Sequence, residues 1–248
     1  MNLLVDLGNA RIKWARSQMG SWQTAAAFFH DQPLDQLLDK LWADVPVPDK
    51  VVVTCVTDPK ILHAMDRWVL RRWSLQAHVL KAQRELLGVK NHYREPGTLG
   101  ADRWAALIAA HRMSTGPLSV VDCGTAVTVD ALSAQGDFLG GVILPGMQLL
   151  RSSLVGATYE IRDINGDDTT CLGLSTADAV TGGSAFGLAG AIERVLTEQV
   201  TQLGKGARVL LTGGDAPRVL PRLQVHAPIE HVPDLVLRGL ALIAEEVL

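Results

Sequence analysis

Twice along this chain a short apolar run stops at an aspartate and gives way to a glycine turn. Leu3-Leu4-Val5 closes on Asp6, Leu7-Gly8-Asn9 has turn chemistry, and Ile12 to Ala15 resumes a strand, which predicts a hairpin at the outset. Pro33 to Trp42 changes period, with Leu34, Leu37, Leu38 and Leu41 on one helical face, and Val51 to Val56 follows as a β-branched strand. Pro59 opens a second helix whose inner face carries Ile61, Leu62, Met65, Trp68 and Val69. A short strand near Val79 comes next, then a helix over Arg103 to His111 preceded by Gly100-Ala101-Asp102.

Leu118 to Val121 is again a buried strand, Asp122 ends it, Cys123-Gly124-Thr125 form a turn, and Val127 to Ala131 returns. Aligning Asp6 with Asp122 superposes strand, acid, glycine turn and hairpin at an offset of 116 residues. A duplicated domain follows, with an expected division into residues 1–116 and 117–248. The second half continues with a strand over Phe138 to Ile143, helices over about 146–155 and 176–201, and a strand from Arg208 to Leu211 ending in Thr212-Gly213-Gly214. A final helix is expected from about Asp234 to Leu248.

Composition sharpens this division. All six Trp lie at or before Trp104, whereas sixteen of the 23 Gly lie after Gly124, so the halves are expected to do different work. With 48% hydrophobic and 20% charged residues and a net charge of −3, no basic field marks a nucleic-acid or anionic-membrane binder. Three widely spaced cysteines, Cys55, Cys123 and Cys171, argue against a disulfide framework and fit a reducing, cytoplasmic compartment. No apolar run approaches a membrane span, and Asp6 arrives before a signal-peptide core could form.

The candidate chemistry clusters at the turns. In Asp6-Leu7-Gly8-Asn9-Ala10-Arg11-Ile12-Lys13 the turn amides of Gly8 and Asn9 can face an anion, Lys13 supplies a point charge, and Asp6 can hold a hydrated divalent cation. An ordinary β-turn with a solvated lysine is the competing reading. Asp122-Cys123-Gly124-Thr125 repeats the logic with hydroxyls, and Gly213 and Gly214 can let an adenine or ribose lie on the backbone. Gly100-Ala101-Asp102-Arg103 sets a carboxylate able to take a hydroxyl proton beside a guanidinium able to grip a carboxylate. Asp102 also reads as a helix N-cap, and Thr176 carries the same ambiguity. Tyr93 either lines a pocket or covers core. The seven histidines show no metal-ligand spacing, and Walker, nucleophile-elbow and dinucleotide fingerprints are absent from the sequence.

Taken in order, Asp6-x-Gly8-Asn9-x-x-x-Lys13, Gly100-x-Asp102-Arg103, Asp122-x-Gly124-Thr125-Ala126, Gly140-Gly141-x-Ile143-x-Pro145-Gly146 and Thr212-Gly213-Gly214 resemble the type III pantothenate kinases. These belong to the acetate and sugar kinase, Hsp70 and actin superfamily. The resemblance covers the whole chain. It implies an α/β protein with a duplicated ribonuclease-H-like (actin-like ATPase) fold, two halves with mixed sheets and a nucleotide cleft between them. It implies ATP-dependent phosphorylation of the primary hydroxyl of pantothenate, the first step toward coenzyme A. By the same resemblance, residues 6–13 (Asp6, Leu7, Gly8, Asn9, Ala10, Arg11, Ile12, Lys13) and Thr125 contact ATP. Tyr93, Gly100, Ala101, Asp102, Arg103 and Thr176 contact pantothenate, and Asp102 is the general base. Asp122 helps bind potassium or ammonium, used beside a divalent ion such as Mg2+, and a homodimer interface helps form the pantothenate pocket. The family usually has Thr or Ser where this chain has Ala10, so weaker nucleotide binding is expected. Rival readings on this scaffold are a regulatory protein similar to the Bvg accessory factors and a related small-molecule kinase.

Overall fold

In the computed structural model, which describes residues 1–18, 21–28, 33–162 and 165–248, the chain folds as two units, residues 1–113 with 234–248 and residues 114–233. The first opens with strands β1 (Asn2–Leu7), β2 (Arg11–Gln18) and β3 (Ser21–Phe28), helix α1 (Leu34–Leu41), strand β4 (Lys50–Cys55) and helix α2 (Pro59–Trp73). Short strands β5 (His78–Val79), β6 (Glu85–Leu86) and β7 (Val89–Asn91) and helix α3 (Ala101–Met113) follow. The second unit holds β8 (Leu118–Cys123), β9 (Ala126–Leu132), β10 (Asp137–Pro145), α4 (Met147–Ala157), α5 (Thr176–Leu203), β11 (Arg208–Thr212), α6 (Ala216–Val219) and β12 (Ile229–His231). Helix α7 (Leu235–Glu246) ends the chain and belongs to the first unit.

In the first unit the strand order is β3-β2-β1-β4-β5: β1, β2 and β3 pair antiparallel, while β4 runs parallel to β1 and to β5. Side chains alternate across β1 and β4. Leu3, Val5, Leu7, Val51 and Val53 join α1 and α2 in one core cluster with Trp14, Trp42, Trp68 and Trp73. These four indoles meet mostly edge to face, with centroids 5.0–6.4 Å apart, and Trp68 Nε1 donates to Asp39 at 2.8 Å. Leu4, Asp6, Val52 and Thr54 therefore point to the opposite face, where α3 and α7 pack on β4 and α7 on β1.

The division expected at 116/117 left the last helix in the second half, and the structure corrects it. Helix α7 buries Leu235, Val236, Leu240 and Ile243 in the first unit, Lys50 Nζ donates to the Ala244 carbonyl at 2.8 Å, and Trp22 Nε1 donates to Asp234. Its seat is Gly239, where a methyl group would run into the Ala105 carbonyl of α3. Local periodicity carries no signal for such a return.

The second unit repeats the first as β12-β11-β8-β9-β10, with β8, β9 and β10 antiparallel and β11 parallel to β8 and β12. Val121, Cys123, Val127 and Val129 pack against Ala185, Leu188, Ile192 and Leu196 of α5. This cluster is built from aliphatic residues with Cys123 and Met147, and the ring of Phe138 is fully buried elsewhere in the unit. Among the described residues no helix is long and apolar enough to cross a membrane.

Candidate active site

The duplicated topology puts one aspartate at the same place in each unit. Asp6 on β1 stands across from Lys13 on β2 and Thr54 on β4, and Asp122 on β8 stands across from Thr128 on β9 and Thr212 on β11. In a mixed sheet of this kind the ends of the parallel strands are where ligands bind.

In the first unit Asp6 is only 5% exposed. Its Oδ1 accepts from Thr54 Oγ1 at 3.0 Å, and its Oδ2 lies 3.8 Å from Lys13 Nζ. Burial lifts its carboxyl above the ordinary range, Lys13 pulls it back, the Asp102 carboxylate pushes it up, and the Thr54 hydroxyl lowers it. Asp6, Lys13 and Asp102 thus share one electrostatic neighbourhood. The Gly8 amide, read from the sequence as anion-facing, donates instead to the Arg11 carbonyl at 3.1 Å and closes the hairpin. The Asn9 and Ala10 amides have no backbone acceptor among the described residues, so the turn's anion-binding capacity falls to them.

Asp102 is not the cap of its helix. Helix α3 begins at Ala101, the Trp104 amide donates to the Gly100 carbonyl at 3.0 Å, and Gly100 holds the cap position. The Asp102 carboxylate folds back, accepts from the Arg103 amide at 2.8 Å and lies over Gly100, where a methyl group would stand 2.6 Å from Oδ1. A side chain at Gly100 would therefore have to push the Asp102 carboxylate out of this position. Burial raises the Asp102 carboxyl above its usual range, against the Arg103 amide, the Arg103 guanidinium and Lys13, which lower it. Arg103 is 7% exposed, and its Nη1 donates to the Tyr93 hydroxyl at 3.1 Å with the guanidinium 5.8 Å from that ring.

The second unit presents a compact cluster of turns. The Gly124 amide donates to Ala126 at 3.1 Å, the Gly146 amide to Thr125 at 3.0 Å, and the Asp215 amide to Cys123 at 3.0 Å. Gly213 has φ +95°, and a side chain there would strike Asp122 and Cys123. Thr125 and Gly214 are exposed at this surface. The Cys123 thiol is pushed up to about 12 by burial and by Asp122 and Asp215, which makes it an inert packing group. Thr176 is exposed at the first position of α5. The cap expected there is Ser175, whose hydroxyl accepts from Asp178 at 3.0 Å.

Thr54 is a site residue that none of the sequence motifs contains. A signal existed: the duplication aligns Val51-Val52-Val53-Thr54 with Val209-Leu210-Leu211-Thr212, each an apolar parallel strand ending in threonine beside the repeated aspartate. Thr54→Val keeps the shape and removes the donor from a buried carboxylate, so it is expected to cost roughly 1–3 kcal/mol. Denaturant unfolding of the purified variant checks this, and an unchanged midpoint refutes it.

Residues 2–198 match the model of the type III pantothenate kinase family. A type III pantothenate kinase of Nitrosococcus oceani is 36% identical over 253 aligned residues, covering 99% of this chain and 94% of that protein. One of Azoarcus sp. is 41% identical over 244 residues, covering 98% and 90%. Among solved structures, the activator of the 2-hydroxyisocaproyl-CoA dehydratase from Clostridium difficile with bound ADPNP superposes at a TM-score of 0.55, with 12% identity and coverage of 98% of this chain and 93% of that one. Two units of one sheet connectivity, and sequence agreement along nearly the whole length, make this chain a member of the type III pantothenate kinase family on the actin-like ATPase fold.

Proposed function

We propose that this protein transfers the γ-phosphoryl group of ATP to the primary hydroxyl of pantothenate, giving 4'-phosphopantothenate and ADP in the first step of coenzyme A synthesis. The observation that carries the reading is the half-buried Asp102 carboxylate, raised in pKa, next to the buried Arg103 guanidinium that donates to the half-buried Tyr93. A raised carboxylate is a stronger base, and the neighbouring guanidinium suits the one carboxylate that pantothenate possesses. Asp102 takes the hydroxyl proton as the oxygen attacks phosphorus and the bond to ADP breaks. Tyr93, Gly100, Ala101, Arg103 and Thr176 contact pantothenate in this reading.

Residues 6–13 and Thr125 hold the phosphates of ATP, with Gly213 and Gly214 toward the adenosine. Lys13 and the Asn9 and Ala10 amides supply positive potential where charge builds on the transferring group. Ala10 brings no hydroxyl, which weakens nucleotide binding. Asp6 is a buried oxygen donor of the kind Mg2+ accepts, and among the described residues no group of three or more His, Cys, Asp or Glu converges, so the ion would rest on Asp6 and the nucleotide's own oxygens. Asp122 would hold the monovalent cation. These cations supply charge neutralisation. Leu139, Ile143, Leu172 and Leu174, large apolar side chains exposed in the single chain, support a homodimer. Three free cysteines suit a cytoplasmic location.

The regulatory alternative requires a degraded acid and base set, whereas Asp6, Lys13, Asp102, Arg103 and Asp122 are all present. Purified protein given ATP, pantothenate and Mg2+ is expected to form phosphopantothenate with potassium or ammonium and little with sodium alone. No product under any of the three, with ATP binding retained, overturns the reading. Equal rates in all three overturn the monovalent-cation role alone.

A further inference from the structure

Tyr93 lies on an irregular loop, yet it meets Arg103 of α3 in a defined register. The segment from Asn91 to Gly100 has a single three-residue helical turn, Pro96–Thr98, and connects β7 to α3. At its root Asn91 is fully buried, at 0% exposure, although it is a polar residue with two hydrogen-bonding groups to satisfy. Both are satisfied within the loop. Asn91 Oδ1 accepts from the Tyr93 amide at 3.0 Å, and Asn91 Nδ2 donates to the Pro96 carbonyl at 3.0 Å. The backbone on either side is tied as well, since Arg84 Nη1 donates to the Asn91 and Tyr93 carbonyls at 3.0 and 3.2 Å. Tyr93 then accepts from Arg103 Nη1 through its hydroxyl and lies beneath the guanidinium.

We infer that Asn91 is a positioning residue for pantothenate: its buried amide fixes the Tyr93 backbone, and Tyr93 fixes the guanidinium that receives the substrate carboxylate. The inference rests on the reading of Arg103 as the carboxylate grip. Asn91 touches no substrate atom in this scheme. It acts by lowering the freedom of the loop, so that a flexible anion meets a preset donor and little ordering remains for the binding step. Asparagine fits this place because one side chain must accept from an amide and donate to a carbonyl at once. Serine is too short to span both partners, and aspartate retains the acceptor but has no donor.

The experiment is a double-mutant cycle read by steady-state kinetics with both substrates, on Asn91→Ser, Arg103→Ala and the two combined, with Asn91→Asp as a second variant if Asn91→Ser does not fold. Asn91→Ser is expected to raise the KM for pantothenate about tenfold or more, the scale of a small misplacement of a binding group. The KM for ATP should stay within about twofold, a split that general loosening of the fold would not produce. In the Arg103→Ala background the same change should raise the pantothenate KM about threefold or less, because the guanidinium it positions is gone and only the Tyr93 contact is left. A full tenfold effect in both backgrounds overturns the proposal, as does an unchanged pantothenate KM in Asn91→Ser, or a parallel rise for ATP. If Arg103→Ala alone leaves the pantothenate KM unchanged, the carboxylate reading fails and the proposal fails with it, an outcome distinguished by the Arg103 arm alone.

Discussion

Asp102→Asn is expected to lower turnover by roughly two to four orders of magnitude, the range for loss of a positioned general base. The amide keeps the shape and the acceptor for the Arg103 amide but cannot take the proton of the attacking hydroxyl. The wild-type pH profile supplies an independent check. Asp102 works ionised and burial raises its pKa, so kcat/KM should climb with pH through a midpoint above the ordinary carboxylate range. That limb should vanish in the variant. Stability should move the other way. Between the unfolded and the raised folded pKa the native state binds more protons, so this group's contribution to stability falls as pH rises through that window. Above it the partly desolvated charge is a standing cost, and Asp102→Asn should melt no lower than wild type at neutral pH. Near-normal turnover, or an unchanged acid limb, sinks the assignment of Asp102 as base.

The largest expected loss of stability comes from Gly239→Val. The added branches would enter the Ala105 carbonyl, which belongs to a helix backbone and cannot swing aside as a side chain would. Overpacking of this kind costs about 3 kcal/mol or more, a large share of a domain's total. The damage reaches the chemistry because α3 begins with Ala101, Asp102 and Arg103. Activity should fall with the denaturation midpoint of the first unit. An unchanged midpoint would mean that α7 can shift along α3 and that the close seat is dispensable.

Much of this molecule was legible because short-range rules decide it. The hairpins at Asp6 and Asp122 follow from period-two runs closed by glycine turns, and the structure has both. The offset between the aspartates predicts two sheets of one connectivity, and the strands follow it. What escaped was set at long range or by which group reached a hydrogen bond first. The return of α7 depends on contact with Ala105, more than a hundred residues earlier. Thr54 looks like any strand-ending threonine until β4 is laid beside β1. Asp102 and Thr176 are both good caps by residue type, yet Gly100 and Ser175 take those places, which leaves the Asp102 carboxylate half-buried over Gly100 and Thr176 exposed.

The tryptophans have a consequence for how this protein can be watched. All six fall within residues 1–113, and four stack in the core of the first unit, while residues 114–233 contain none. Tryptophan fluorescence, excited selectively beyond the tyrosine band, is therefore an optical probe of one unit, blind to the other, whereas far-ultraviolet circular dichroism sees the helices of both. The same unlabelled sample carries its own test of whether the two units of repeated topology unfold as one cooperative body: the two signals coincide if they do and part company if they do not.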